Sequence, residues 1–133
     1  TRGMFVTMIV GVYDKNKNEL LLSNAGHEPP LIFSKDGNFK TIDEAGPPLG
    51  IAPNFKFTEQ IISFKESSMY IFTDGITEMK NNNGEMLGQE GFQDYIKKYQ
   101  STPNNKRLQK MIEDLISSGR IQKDDLTIVT VDG

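Results

Sequence analysis

Residues 68–75 read S-M-Y-I-F-T-D-G, an apolar run that stops at an acid and a glycine. A run apolar on both parities fits a strand buried on both faces, so residues 68–73 are predicted as a strand ending at Asp74-Gly75. The pattern changes character at this point. Before it the chain reads as strands and turns; after it the apolar residues fall at helical spacing.

Working towards the N-terminus, residues 61–64 form a short strand, approached by the alternating Phe55-Lys56-Phe57-Thr58. Pro47-Pro48 and Pro29-Pro30 mark rigid, non-helical loops. Residues 30–34 and 39–42 are predicted strands around the turn Lys35-Asp36-Gly37-Asn38. Residues 4–13, M-F-V-T-M-I-V-G-V-Y, are apolar on both parities. They read as a strand covered on both faces or a buried helix segment, and β-branched content with Gly3 favours the strand. It returns through 19–24 across the polar loop 14–18, a hairpin.

Working towards the C-terminus, Phe92, Tyr95, Ile96 and Tyr99 stand at i, i+3, i+4 and i+7, one helical stripe. Pro103-Asn104-Asn105 supplies a break and caps. Leu108, Met111, Ile112, Leu115 and Ile116 repeat the stripe, and Gly119 fits the position after a helix end. Residues 126–131, L-T-I-V-T-V, are a last strand. Many strands, two helices and one strand predict an α+β fold with antiparallel pairing. The 133 residues fit one domain, 1–133.

Composition narrows the chemistry. Fifteen Lys and Arg against eighteen Asp and Glu give a net charge of −3. Non-specific nucleic-acid binding and anionic-membrane contact are disfavoured by that sign. No run approaches the roughly 18 apolar residues of a membrane helix. The absence of cysteine excludes disulfides, thiolate metal sites and Cys nucleophiles, and fits the reducing cytoplasm expected as the location. His27 is the only imidazole, so no His-cluster metal site can form within the chain. There is no Walker loop, no G-x-G-x-x-G and no G-x-S-x-G. Chemistry therefore falls to carboxylates, acting through a hard cation that prefers oxygen.

Asp74 closes a buried-type strand, where a carboxylate is held rigidly; the same D-G step also makes an ordinary turn. Asp124-Asp125 opens the last strand, where two neighbouring acids repel and a cation would relieve them; a solvated turn balanced by Lys123 is the plain alternative. Together, two strand-end acid sites suit Mg²⁺ or Mn²⁺, provided the ends converge. His27, in N-A-G-H-E-P-P, is either a turn residue or a hydrogen-bonding group beside the site. Asp14-x-Asn16-x-Asn18 begins like a calcium loop, but Glu19 and Ala25 break the pattern and leave a hairpin turn. Asn81-Asn82-Asn83-Gly84 is likewise a turn. Glu78 reads as structural, an acceptor for a loop amide.

Taken in order, several motifs resemble one family. They are Phe5-Val6-Thr7-Met8, Asn24-Ala25-Gly26-His27 with Pro29-Pro30, Gly46-Pro47-Pro48-Leu49-Gly50-Ile51, Thr73-Asp74-Gly75-Ile76-Thr77-Glu78, Gly88, and Asp124-Asp125-Leu126-Thr127. The chain resembles the bacterial SpoIIE/RsbU-type serine phosphatases, a branch of the protein phosphatase 2C (PPM) family, over nearly its whole length. The resemblance implies a β-sandwich flanked by helices with two divalent metals, Mn²⁺ or Mg²⁺, at one end. It implies hydrolysis of phosphoserine or phosphothreonine on a regulatory protein by metal-activated water, without a phosphoenzyme. The typical substrate is a phosphorylated anti-anti-sigma (STAS-type) protein in a partner-switching pathway. Asp74 and Asp124 match metal-binding aspartates of the family, Asp125 is the neighbour of the second, and His27 stands where other branches have an acid near the metals.

One family feature has no match here, the earlier D-x-x-G-H-G-type motif that supplies a bridging carboxylate. The resemblance therefore implies a phosphatase domain incomplete at its N-terminus. Its isolated form is expected to bind metal weakly, to be inactive or nearly so, and to pair through open sheet edges with another copy. A rival reading is a non-catalytic phosphatase-like interaction module. A third, a small acidic calcium-binding domain, is opposed by the failed loop pattern.

Overall fold

The computed structural model describes residues 3–133. Its elements run β1 (Met8–Asp14), β2 (Glu19–Ala25), β3 (Leu31–Ser34), β4 (Phe39–Thr41), β5 (Gln60–Ser63), β6 (Ser67–Phe72), α1 (Asp74–Thr77), α2 (Gly88–Tyr99), α3 (Asn104–Ser117) and β7 (Ile128–Asp132). The expected α+β class with antiparallel pairing is what the chain forms. It makes two compact units, one up to Met69 and joined by Gly133, the other from Tyr70 to Asp132. The division falls inside β6.

In the first unit β1, β2 and β5 form a three-stranded sheet in the order β1-β2-β5. The β1–β2 hairpin closes at Asp14 opposite Glu19. Asp14 Oδ1 accepts the amides of Asn16 (3.0 Å) and Lys17 (3.2 Å), so the carboxylate that opens the calcium-loop-like run is spent on its own turn. Leu20 and Leu22 of β2 and Ile62 of β5 are buried on one face, and Phe64 packs edge-on to Tyr13 with centroids 5.4 Å apart. β3 and β4 pair as a second hairpin, with Phe33 against Phe39. The start of β6 continues that sheet beside β3.

β1 departs from expectation. Met8, Val10 and Val12 are exposed, as are Met4, Phe5 and Val6 ahead of it, so the strand is not covered on both faces. Its apolar content is real, but β1 is an edge strand, paired with β2 alone among the described residues. Ahead of it, Val6 makes an isolated bridge to Leu49. Residues 55–58, whose alternation suggested strand, are irregular, and Phe55 and Phe57 stack on each other instead.

β7 of the second unit lies beside β6. α2 buries Phe92 and Ile96 and half-buries Tyr95 and Tyr99, the expected stripe. α3 buries Met111 and Leu115, while Ile116 is exposed and Arg107 is buried in its place. The guanidinium donates to both Asp132 oxygens (2.9 and 3.2 Å) and to the Tyr70 hydroxyl (3.4 Å). Asn104 opens α3 directly after Pro103, with no side-chain cap. Asp114 of α3 accepts from Lys98 Nζ and the Tyr99 hydroxyl, each at 2.6 Å, tying the two helices. Those two donors hold its carboxyl below the usual carboxylate range.

Candidate metal centre

The end of β6 is fixed by packing. Tyr70 and Phe72 meet Phe92 edge-on, with centroids 6.2 and 4.9 Å apart. Where the strand stops, the Thr73 amide donates to the Thr127 carbonyl (3.0 Å). The Thr127 amide donates back to Thr73 Oγ1 (3.0 Å). This two-way clamp joins positions 54 residues apart, and it brings the start of the last strand to the end of β6.

Asp74 then opens the single turn α1. Its carbonyl accepts the Glu78 amide (2.9 Å) and the Thr77 hydroxyl (3.2 Å). The backbone is thus committed, while the carboxylate is exposed and without a partner among the described residues. Gly75 is buried. A Cβ on it would overlap the Asp125 carbonyl oxygen and lie 3.1 Å from the carbonyl carbon. Only glycine allows the D-G turn and the Asp124-Asp125 segment to touch at this point. The convergence that periodicity could not establish is therefore made by the backbone.

On the other side of this contact, Asp124 Oδ1 accepts the Asp125 amide (2.8 Å), which orients its carboxylate. The Gln122 side-chain amide donates to the Asp124 carbonyl (3.1 Å). Asp124 and Asp125 are both exposed. Asp124 and Gly75 share a cleft of about 320 Å³ with Glu78, Lys80, Met86 and Lys123. Glu78 is exposed and accepts no loop amide among the described residues, contrary to the structural role expected of it.

His27 belongs to the first unit. Its amide donates to Asn24 Oδ1 (2.9 Å), and Asn24 Nδ2 donates to the His27 carbonyl (3.0 Å). The ring Nδ1 is 3.0 Å from the Glu28 carbonyl. A carbonyl can only accept, so Nδ1 is the donor in this contact. The same motif docks onto the Gly-Pro-rich loop. The Gly46 amide donates to the Asn24 carbonyl (2.9 Å). Gly26, at φ +72°, leaves no room for a Cβ, which would lie 2.6 Å from Pro48 Cγ. The N-A-G-H and G-P-P-L-G stretches thus form one locked turn.

Asp74, Asp124 and the Asp125 carbonyl offer oxygen alone, the chemistry of a hard divalent cation. The donor type fits. The number is small: among the described residues no group of three or more His, Asp or Glu stands ready to hold a metal. Mg²⁺ tolerates this better than most cations, since it keeps several waters. Thr73 and Thr127, which make the junction, carry no chemistry of their own; their only sequence signal was membership of the T-D-G and D-D-L-T motifs.

The profile of the family described as Stage II sporulation protein E (SpoIIE) matches residues 1–132. Protein IcfG of Synechocystis sp. is 31% identical over 131 residues, 96% of this chain and 20% of that protein. Phosphoserine phosphatase RsbU of Bacillus subtilis is 27% identical, over 96% of this chain and 39% of that protein. The chain therefore spans well under half the length of both. Among solved structures, the SiaA-PP2C domain of Pseudomonas aeruginosa superposes with a TM-score of 0.78 at 17% identity, covering 96% of this chain and 51% of that one. The Mn-presoaked phosphatase domain of SpoIIE from Bacillus subtilis gives 0.68 at 17% identity, covering 95% and 56%.

Proposed function

This chain belongs to the SpoIIE family, with the fold of the PP2C-type phosphatases, and on that premise we propose that it carries the strand-end part of a metal-dependent protein serine/threonine phosphatase site. The observation that carries the reading is the contact of Gly75 with the Asp125 carbonyl, closed by the Thr73–Thr127 clamp. It joins the backbone segments that carry Asp74 and Asp124, 50 positions apart in the chain.

Asp74 and Asp124 would be the ligands of Mn²⁺ or Mg²⁺, with Asp125 in support, and the resemblance gives His27, which belongs to the other unit, a hydrogen-bonding role. The cation supplies activation of water and neutralisation of phosphoryl charge. The chain's own contribution is to hold Asp74 rigid at the end of a packed strand and to orient Asp124 through the Asp125 amide. The substrate class is a phosphoserine or phosphothreonine on a regulatory protein, an anti-anti-sigma factor of STAS type in the reading from resemblance, met in the cytoplasm. The similarity to RsbU, a phosphoserine phosphatase, supports the phosphoserine part of this.

The shortage of a third ligand among the described residues supports weak metal binding and little or no turnover by these 133 residues alone. The same shortage favours a second reading, a phosphatase-like interaction module without chemistry. Calorimetry with Mn²⁺ separates them. Binding that disappears in Asp74→Asn and in Asp124→Asn is the expected result. Binding equal in wild type and both variants would remove these aspartates from the site. No binding at all would favour the interaction module.

A further inference from the structure

Resting on the phosphatase reading above, we propose that the cleft beside the strand-end junction receives the residues flanking the phosphorylated side chain, and selects acidic and apolar ones through Lys80, Lys123 and Met86. The cleft, about 320 Å³, is lined by these three with Gly75, Glu78 and Asp124. Because Gly75 and Asp124 belong to the candidate metal centre as well, a phosphoryl group held there would lay its neighbouring residues along this cleft.

The walls are built. Asn81 Oδ1 accepts the amides of Asn83 (2.9 Å) and Glu85 (3.0 Å), and the Asn81 amide donates to the Glu85 carbonyl (3.0 Å). The turn 81–84 thus holds Lys80 and Met86 opposite each other in a bridge. Arg120 Nη1 donates to the carbonyls of Met79 (3.0 Å) and Glu85 (3.4 Å), and the Ile121 amide donates to the Lys80 carbonyl (3.0 Å). The segment carrying Lys123 is therefore anchored to the turn carrying Lys80 and Met86.

Charge gives the preference its sign. Neither Lys80 nor Lys123 makes an ion pair among the described residues. Glu85 is turned aside onto Asn81 Nδ2 (3.1 Å). With Asp124 engaged by a cation, Glu78 is the one carboxylate of the lining left to oppose two ammonium groups. Met86 is 57% exposed beside them, a flexible apolar side chain of the kind that adaptable protein contacts use. A segment with acidic and apolar residues next to its phosphoserine matches this lining; a basic one does not.

The test is an amide-resonance titration of this chain in Mg²⁺ with two phosphoserine peptides, one flanked by Asp and Leu, the other by Lys. The expected result is shifts at Lys80, Met86 and Lys123 with the acidic peptide, weaker binding of the basic one, and roughly tenfold weaker acidic-peptide binding in Lys80→Glu/Lys123→Glu, about the loss of two exposed ion pairs plus repulsion. The variant's own spectrum reports its folding. Shifts elsewhere, no shifts at saturation, equal affinity for both peptides, or unchanged affinity in the variant would overturn the proposal. A separate Mn²⁺ experiment watches the phosphatase reading. Paramagnetic broadening absent from residues 74 and 124 would defeat that reading, whatever the peptides do.

Discussion

One methyl group at position 75 is enough to separate the two halves of the candidate site. Gly75→Ala places a Cβ on the Asp125 carbonyl, and backbone on both sides leaves little to yield. The expected loss is about 1–3 kcal/mol of stability, the usual range for an overpacked buried position. Mn²⁺ affinity should fall with it. Denaturant unfolding and calorimetry on one sample check both, and a variant that binds Mn²⁺ as wild type does would show that the contact is not needed. At this scale the sequence was partly readable. Asp74 and Asp124 stood out because acids follow or precede apolar strands. The touching of Gly75 and Asp125 left no trace in any local pattern, since it is a property of two backbones.

Elements were legible wherever burial follows apolar spacing, as in α2, and less so where a partner decides. The residues of β1 are apolar on both parities, and a strand pattern records composition, not what covers it; most of its apolar side chains are in water. Arg107 shows the opposite error. It sits one residue before the apolar stripe of α3, looks like a surface position, and is 4% exposed. Its partner Asp132 lies 25 residues on, beyond the reach of helix periodicity. Asp132→Ala would leave a buried guanidinium without its carboxylate. Breaking a buried pair from one side costs about 3–5 kcal/mol, and because Asp132 is itself partly exposed the lower end is expected. Thermal unfolding should register a drop in midpoint. No drop would mean that the Tyr70 hydroxyl and backbone carbonyls satisfy Arg107 unaided.

Over the whole molecule, motif order carried more than periodicity did. The family followed from several short motifs in register, and its PP2C-type fold came with it; strand and helix patterns alone reached the α+β class with antiparallel pairing and no further. The open sheet edge expected from the unmatched motif is found among the described residues, with apolar surface uncovered beside it. Met8, Val10 and Val12 of β1 and Ile61 of β5 are all exposed, and β1 offers an unpaired edge among the described residues. Such an edge pairs readily with another copy. Sedimentation velocity should show this chain associating as its concentration rises, and Val10→Lys/Val12→Lys should return it to monomer. A clean monomer throughout would count against edge pairing.

The Thr73–Thr127 clamp has a consequence for how affinity and folding are linked. Bringing together two points 54 residues apart costs a free chain about 3.5 kcal/mol in closure entropy alone. An unfolded chain offers a cation no such preassembled pair, and the folded chain has met that loss before any ion arrives. An ion bound at the candidate centre would therefore act as a weight on the folded side of the equilibrium, raising the unfolding temperature with its concentration. Loosening the clamp would lower the ion's affinity while the rest of the fold still stands.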